Sequence, residues 1–111
     1  MDKAAVLNII ADFKSNIEKR GIRINKLLLF GSFANDNFNA CSDIDVAVIS
    51  DDFKNMDYWE RINILSETIY DVFAPIEAVA FTTEEWENKS SMIIEYAELG
   101  EVLYCQTVIS P

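Results

Sequence analysis

The stretch Leu28-Leu29-Phe30-Gly31-Ser32-Phe33-Ala34, followed, with ten residues between Ser32 and Asp43, by Asp43-Ile44-Asp45-Val46-Ala47-Val48, decides how the rest of this chain is read. Ile24 to Phe30 is mostly apolar, too continuous for a half-exposed strand, and predicts a strand covered on both faces. Gly31-Ser32 breaks it, and a polar stretch from Asn35 to Cys41 follows. Such a turn offers free backbone N–H groups and a hydroxyl, which suit a phosphate oxygen, although Gly-Ser after a strand also serves as a plain turn. Asp43 to Ile49 alternates and predicts a second strand. Asp43 and Asp45 lie two apart in it, so their side chains share a face, with Cα atoms about 6.6 Å apart. At an effective dielectric of about 20, unit charges at that separation repel by about 2.5 kcal/mol. Water can screen the pair at a strand edge, or Asp43 can merely cap a turn. The apolar Ile44, Val46, Ala47, Val48 and Ile49 instead describe a strand buried well beyond an edge. That favours a divalent cation, which turns repulsion into ligation, and hard carboxylate oxygens suit Mg²⁺.

Working outward, Val6, Ile9, Ile10, Phe13 and Ile17 recur at helical spacing and predict an amphipathic helix over about residues 3–20, capped by Asp2 and ended by Gly21. Asp57 begins a second helix, with Glu60 completing a capping-box-like pair and Trp59, Ile62, Leu65, Ile69 and Val72 as its apolar stripe. Pro75 precludes further helix, and Ile76 to Phe81 predicts a third strand. Thr83 with Glu84 and Glu85 starts a short helix to Lys89, another runs from Ser91 to Leu99 and stops at Gly100, and Glu101 to Cys105 has strand character. This order predicts an α+β fold, a mixed sheet covered by helices mainly on one face. Asp51-Asp52 reads as a solvated turn. Trp59, Trp86, Met92, Ile93, Ile94 and Tyr96 read as core or interface residues, with base stacking the alternative for the tryptophans.

Glu77 lies within the apolar third strand, where a carboxylate is costly to bury unless paired or metal-bound. It either faces solvent, pairs with a base such as Lys26, or joins the aspartates. If its strand neighbours that of Asp43 and Asp45, three carboxylates converge on one face, a two-metal arrangement able to neutralise a triphosphate and orient an attacking hydroxyl.

Composition bounds what such a site can serve. The 111 residues predict a single domain over 1–111, half of them apolar, with only 3 Gly and 2 Pro, which excludes disorder. The net charge of −10 repels phosphate backbones and argues against direct nucleic-acid binding. The chain has no histidine, which excludes Ser-His-Asp and Cys-His catalysis within it and most zinc sites. Cys41 and Cys105 are isolated and read as reduced thiols of a cytoplasmic protein. No apolar run approaches the ~20 residues of a membrane helix.

Taken together, Gly31-Ser32, the ten-residue spacer and Asp43-Ile44-Asp45 resemble the G-S-x10-D-x-D signature of the DNA polymerase beta-like nucleotidyltransferase superfamily, and within it the minimal nucleotidyltransferase (MNT) group. The resemblance covers most of the chain and implies the nucleotidyltransferase fold. It implies that Gly31 and Ser32 contact the nucleotide, that Asp43 and Asp45 hold two Mg²⁺ ions, and that Glu77 ligates a metal and helps deprotonate the acceptor hydroxyl. It also implies transfer of a nucleoside monophosphate, AMP from ATP, to a hydroxyl acceptor such as a protein. Minimal members pair with a helical HEPN-domain toxin as its antitoxin, so a hetero-oligomer is expected. A homo-oligomer is the other possibility. Where many members continue G-S-x-A-R-G, this chain has Asn35 and Asp36, which removes a cation from the phosphates' reach. That departure motivates the alternative of a non-catalytic module of the same fold that neutralises its partner by occlusion. An aminoglycoside-modifying enzyme is disfavoured, since such enzymes carry an added helical domain.

Overall fold

The computed structural model describes residues 2–34 and 43–106. Helix α1 spans Lys3–Lys19, with the Asp2 carboxylate accepting from the Ala5 N–H at 2.8 Å. It buries Val6, Ile10, Phe13 and Ile17, one residue per turn along a single face. Gly21 follows with φ +88°, the left-handed conformation expected just past a helix end. Strands β1 (Lys26–Phe30), β2 (Ile44–Ile49), β3 (Ile76–Phe81) and β4 (Glu101–Cys105) form one sheet in the order β3-β2-β1-β4. β1 is antiparallel to both β2 and β4, whereas β2 and β3 run parallel. Parallel neighbours need a crossover, and α2 (Tyr58–Val72) supplies it.

The sheet is covered unequally. Alternate residues Leu27, Leu29, Ile44, Val46, Val48 and Ile76 join the core under α1 and α2. The opposite face carries Leu28, Phe30, Ala47 and Ile49, which pack on Trp86, Ile94 and Ala97 of the short helices α3 (Thr83–Glu87) and α4 (Met92–Ala97). The mixed sheet and the two long helices on one face agree with the expected α+β architecture. Both faces of β1 and most of β2 are buried, which is why their sequences run nearly unbroken in apolar residues.

Several local expectations are corrected. Trp59 does not belong to the buried stripe of α2. It is exposed and meets Tyr58 edge to face, while Leu65 and Thr68 are the buried residues of the helix. Thr68 is accommodated because its hydroxyl donates to the Ile64 carbonyl and accepts from Arg20 Nε. The cap of α3 is Thr82, not Thr83, with a full capping box to Glu85. Met92 and Tyr96 are exposed, and Ile94 and Ala97 anchor α4 instead. Asp51 and Asp52 are exposed in a 3₁₀ turn, as expected, and additionally tie it to its neighbours: Asp52 accepts from the Arg23 N–H at 2.7 Å, and Asp51 from the Thr83 N–H at 3.3 Å. Among the described residues, no helix is long and apolar enough to cross a membrane.

Candidate active site

β1 ends at Phe30, and a 3₁₀ turn over Gly31–Phe33 follows at once. Gly31 has φ +74°, a conformation that side chains rarely adopt. It is constrained a second time by its neighbour: a Cβ there would run into Asp45 Oδ2 and lie 3.2 Å from Asp45 Cγ. The glycine therefore lets the turn keep its left-handed conformation with the β2 carboxylate in its present place. Ser32, the next residue, is half-buried in the same turn.

The sheet register then assembles the carboxylates. Asp45 lies opposite Phe30 on one side and opposite Glu77 on the other. Asp45 and Glu77 are lateral neighbours on parallel strands, so their side chains leave the sheet on the same face. Asp43, immediately before β2 and exposed, is two residues from Asp45 and in electrostatic reach of it. All three belong to the face covered by α3 and α4, the more thinly clad one. Ile44 fixes the entry of β2 through its N–H, which donates to the Pro75 carbonyl at 2.8 Å. Lys26, the base considered for Glu77, lies opposite Ile49 at the far end of the sheet.

This crowding perturbs Asp45. Partial burial, then the charge of Glu77, a hydrogen bond with Glu77 and the charge of Asp43 push its pKa from 3.8 up to about 6. The protonated Asp45 carboxyl is the donor of that hydrogen bond to Glu77. Among the described residues, no group of three His, Cys, Asp or Glu side chains closes around a common point to hold a metal ion. The carboxylates form an open cluster, not a cage. Their donor set nonetheless fits a hard divalent cation: all oxygen, like-charged and partly desolvated, so that a cation relieves their repulsion.

The structure thus brings Gly31, Asp45 and Glu77 together, with Asp43 beside them. Asn35 and Asp36 lie outside the described residues, as does Cys41; Cys105 is an exposed free thiol. The structure adds an aromatic pair beside the carboxylates, a pairing that the sequence does not show. Phe30, the neighbour of Asp45 across the β1–β2 pairing, meets Tyr96 edge to face, with ring centroids 5.7 Å apart. Tyr96 is about half exposed. Its helical spacing reads as core or interface; Ile94 and Ala97 take the buried positions of α4 and Tyr96 stays at the surface.

A polymerase beta nucleotidyltransferase family model matches residues 9–108. The fold is similar to the crystal structure of a candidate nucleotidyltransferase from Sulfolobus solfataricus, with a TM-score of 0.67 at 17% identity over 92% of this chain and 90% of that one. It is also similar to a second candidate nucleotidyltransferase, with a TM-score of 0.57 at 22% identity over 86% of this chain and 97% of that one. At these identities the likeness is one of fold. Among curated proteins no sequence matches significantly. With the family match running from α1 past β4, the chain belongs to the polymerase beta nucleotidyltransferase family.

Proposed function

We propose that this chain is a magnesium-dependent nucleotidyltransferase that moves AMP from ATP to a hydroxyl of a protein. The observation that carries the reading is the convergence of Gly31, Asp45 and Glu77, where a left-handed glycine, at which a Cβ would displace the Asp45 carboxylate, adjoins a carboxylate pair. Gly31 and Ser32 would receive the triphosphate through backbone and hydroxyl donors. Asp43, Asp45 and Glu77 would hold the Mg²⁺ ions, which when bound supply neutralisation of the triphosphate charge. The acceptor oxygen bonds to the α-phosphorus as the bond to the β-phosphate oxygen breaks and pyrophosphate leaves. The hydroxyl proton passes to the Glu77 carboxylate, which is exposed and able to meet an incoming substrate.

Membership of the minimal group, a cytoplasmic setting and a HEPN-domain toxin as partner are parts of the same proposal. They are supported by the signature and by a net charge of −10, which suits docking on a basic, RNA-cleaving surface. The experiment is calorimetric titration with ATP, with and without Mg²⁺, on the wild type and on Asp43→Asn/Asp45→Asn. Binding is expected to require Mg²⁺ and to weaken more than about a hundredfold in the double variant, as loss of metal ligands dictates. Wild type that fails to bind ATP–Mg²⁺, alone and with its partner present, would overturn the reading. The replacement of the usual Arg-Gly by Asn35-Asp36 favours a second reading, neutralisation of the partner by occlusion without transfer. A double variant that still protects cells from the toxin would select it.

A further inference from the structure

Strand β3 is an edge of the sheet, and its two sides are unlike. Towards β2, the Pro75 and Phe81 carbonyls accept from the Ile44 and Ser50 N–H groups at 2.8 and 2.9 Å. By the alternation of a strand, Ala78 and Ala80 turn their N–H and C=O groups the other way, off the sheet. Among the described residues, neither amide has a partner outside the sheet. The edge opens into a cavity of about 530 Å³ lined by Ala78–Phe81. Tyr58, Ile62 and Leu65 of α2 wall it on one face, and Ser91 and Ile93 on the other. The gap between these walls continues the layer of the sheet and is where a fifth strand would lie.

The opposite edge is blunted along its strand, whereas here the Arg61–Glu85 pair ties α2 to α3 beside the cavity and leaves the strand residues 78–80 themselves without a charge or a bulge. The pairing of β4 with β1 shifts register between Leu27 and Leu28, and Lys3 pairs with Glu101 at 3.0 Å at the start of β4. Bulges and charges of this kind blunt an edge. Ala78, Val79 and Ala80 supply neither, and two alanines facing α2 leave room for larger side chains of an added strand. Charge then selects the occupant. Glu77 stands exposed on β3 itself, and the one cation of the lining, Arg61, is already paired with Glu85 at 2.7 Å. A second copy of this chain would bring another ten net negative charges to the edge.

We propose that an extended, basic polypeptide segment docks along β3 as a fifth strand. An antiparallel strand would exchange hydrogen bonds at Ala78 and Ala80. The residue facing Glu77 then falls in a non-hydrogen-bonded pair, where side chains stand closest, about 4.5–5.5 Å between Cβ atoms. A serine, threonine or tyrosine there leaves the sheet on the same face as Asp45 and Glu77, so the segment is the acceptor. This last step rests on the nucleotidyltransferase reading; the docking does not.

The test is residue-resolved amide exchange with a short synthetic peptide alternating valine and lysine around one tyrosine. Exchange at Ala78 and Ala80 is expected to slow by at least about tenfold, with β4 amides unchanged. The same peptide N-methylated on alternate backbone nitrogens is expected to give no protection, and Ala80→Pro, which removes only an outward donor, to abolish it. Unchanged exchange with the lysine peptide overturns the proposal. So does equal protection by a valine–glutamate peptide, or protection that grows with protein concentration and no peptide, which assigns the edge to a second copy. Protection without AMP appearing on the tyrosine in the presence of ATP–Mg²⁺ leaves the docking standing and counts against the acceptor role alone.

Discussion

At the residue scale, Asp45 shows how a crowded carboxylate costs stability. Its pKa in the folded protein, about 6, lies above the ordinary 3.8, so the native state holds a proton that the unfolded chain releases. The stabilisation this represents is full below the ordinary value and is lost as pH rises through about 6. In chelator, the wild type is expected to lose roughly 1 kcal/mol over that range, the figure being reduced for solvent screening. Asp45→Asn should flatten that part of the pH profile while abolishing Mg²⁺-dependent ATP binding, both read by chemical denaturation and calorimetry. Gly31→Ala places a Cβ against Asp45 in a left-handed conformation and should cost about 2 kcal/mol or more. Phe73 is the opposite case, with φ 57° at the end of α2 and 89% exposure. Phe73→Gly relieves the backbone and loses little packing, and should raise stability by about 0.5–1 kcal/mol, seen as a higher Tm. The sequence exposed the glycine and the carboxylates to view. It did not reveal Phe73, since a phenylalanine in αL carries no local signal.

At the element scale, the strands were the most legible parts. Ile76–Phe81 and Glu101–Cys105 begin and end where Pro75, Gly100 and the polarity pattern place them, and β2 starts one residue later than Asp43. β1 is shorter than the apolar run, since Ile24 is buried ahead of the strand and Asn25 instead ties the ends of β2 and β4, its N–H donating to Ile49 and its carbonyl accepting from Gln106. The expected stripe of α2 holds for Leu65, Ile69 and Val72, which join or pack on the core, and fails only at Trp59, which fits the helical period yet is exposed. The capping box at α3 holds a helix of only 5 residues, too short to persist on its own. Thr82→Ala should therefore cost about 1 kcal/mol and loosen the cover over the carboxylate face, detectable as faster amide exchange in α3.

At the scale of the whole molecule, Arg61 joins the two faces of the sheet. From α2 it donates to the Phe53 carbonyl at 2.8 Å and to Glu85 of α3 at 2.7 Å, with its side chain only 15% exposed. Burial alone would raise the Glu85 pKa, but hydrogen bonds from Arg61 and the Thr82 N–H hold it below 4.5. That stabilisation is present above 4.5 and lost as pH falls, opposite in sign to Asp45. Arg61→Ala should cost about 2 kcal/mol and remove this acid-side dependence, as titration of Tm against pH would report. The sequence by itself determined the α+β pattern, the glycine turn and the identity of the carboxylates, because periodicity, turn chemistry and the D-x-D spacing are local properties. Only the tertiary structure decided that Glu77 stands beside Asp45, since that depends on β3 pairing in parallel with β2 through the α2 crossover. It likewise decided which face the carboxylates occupy and which edge of the sheet lies open, because strand order and register are set by packing between segments distant in the chain.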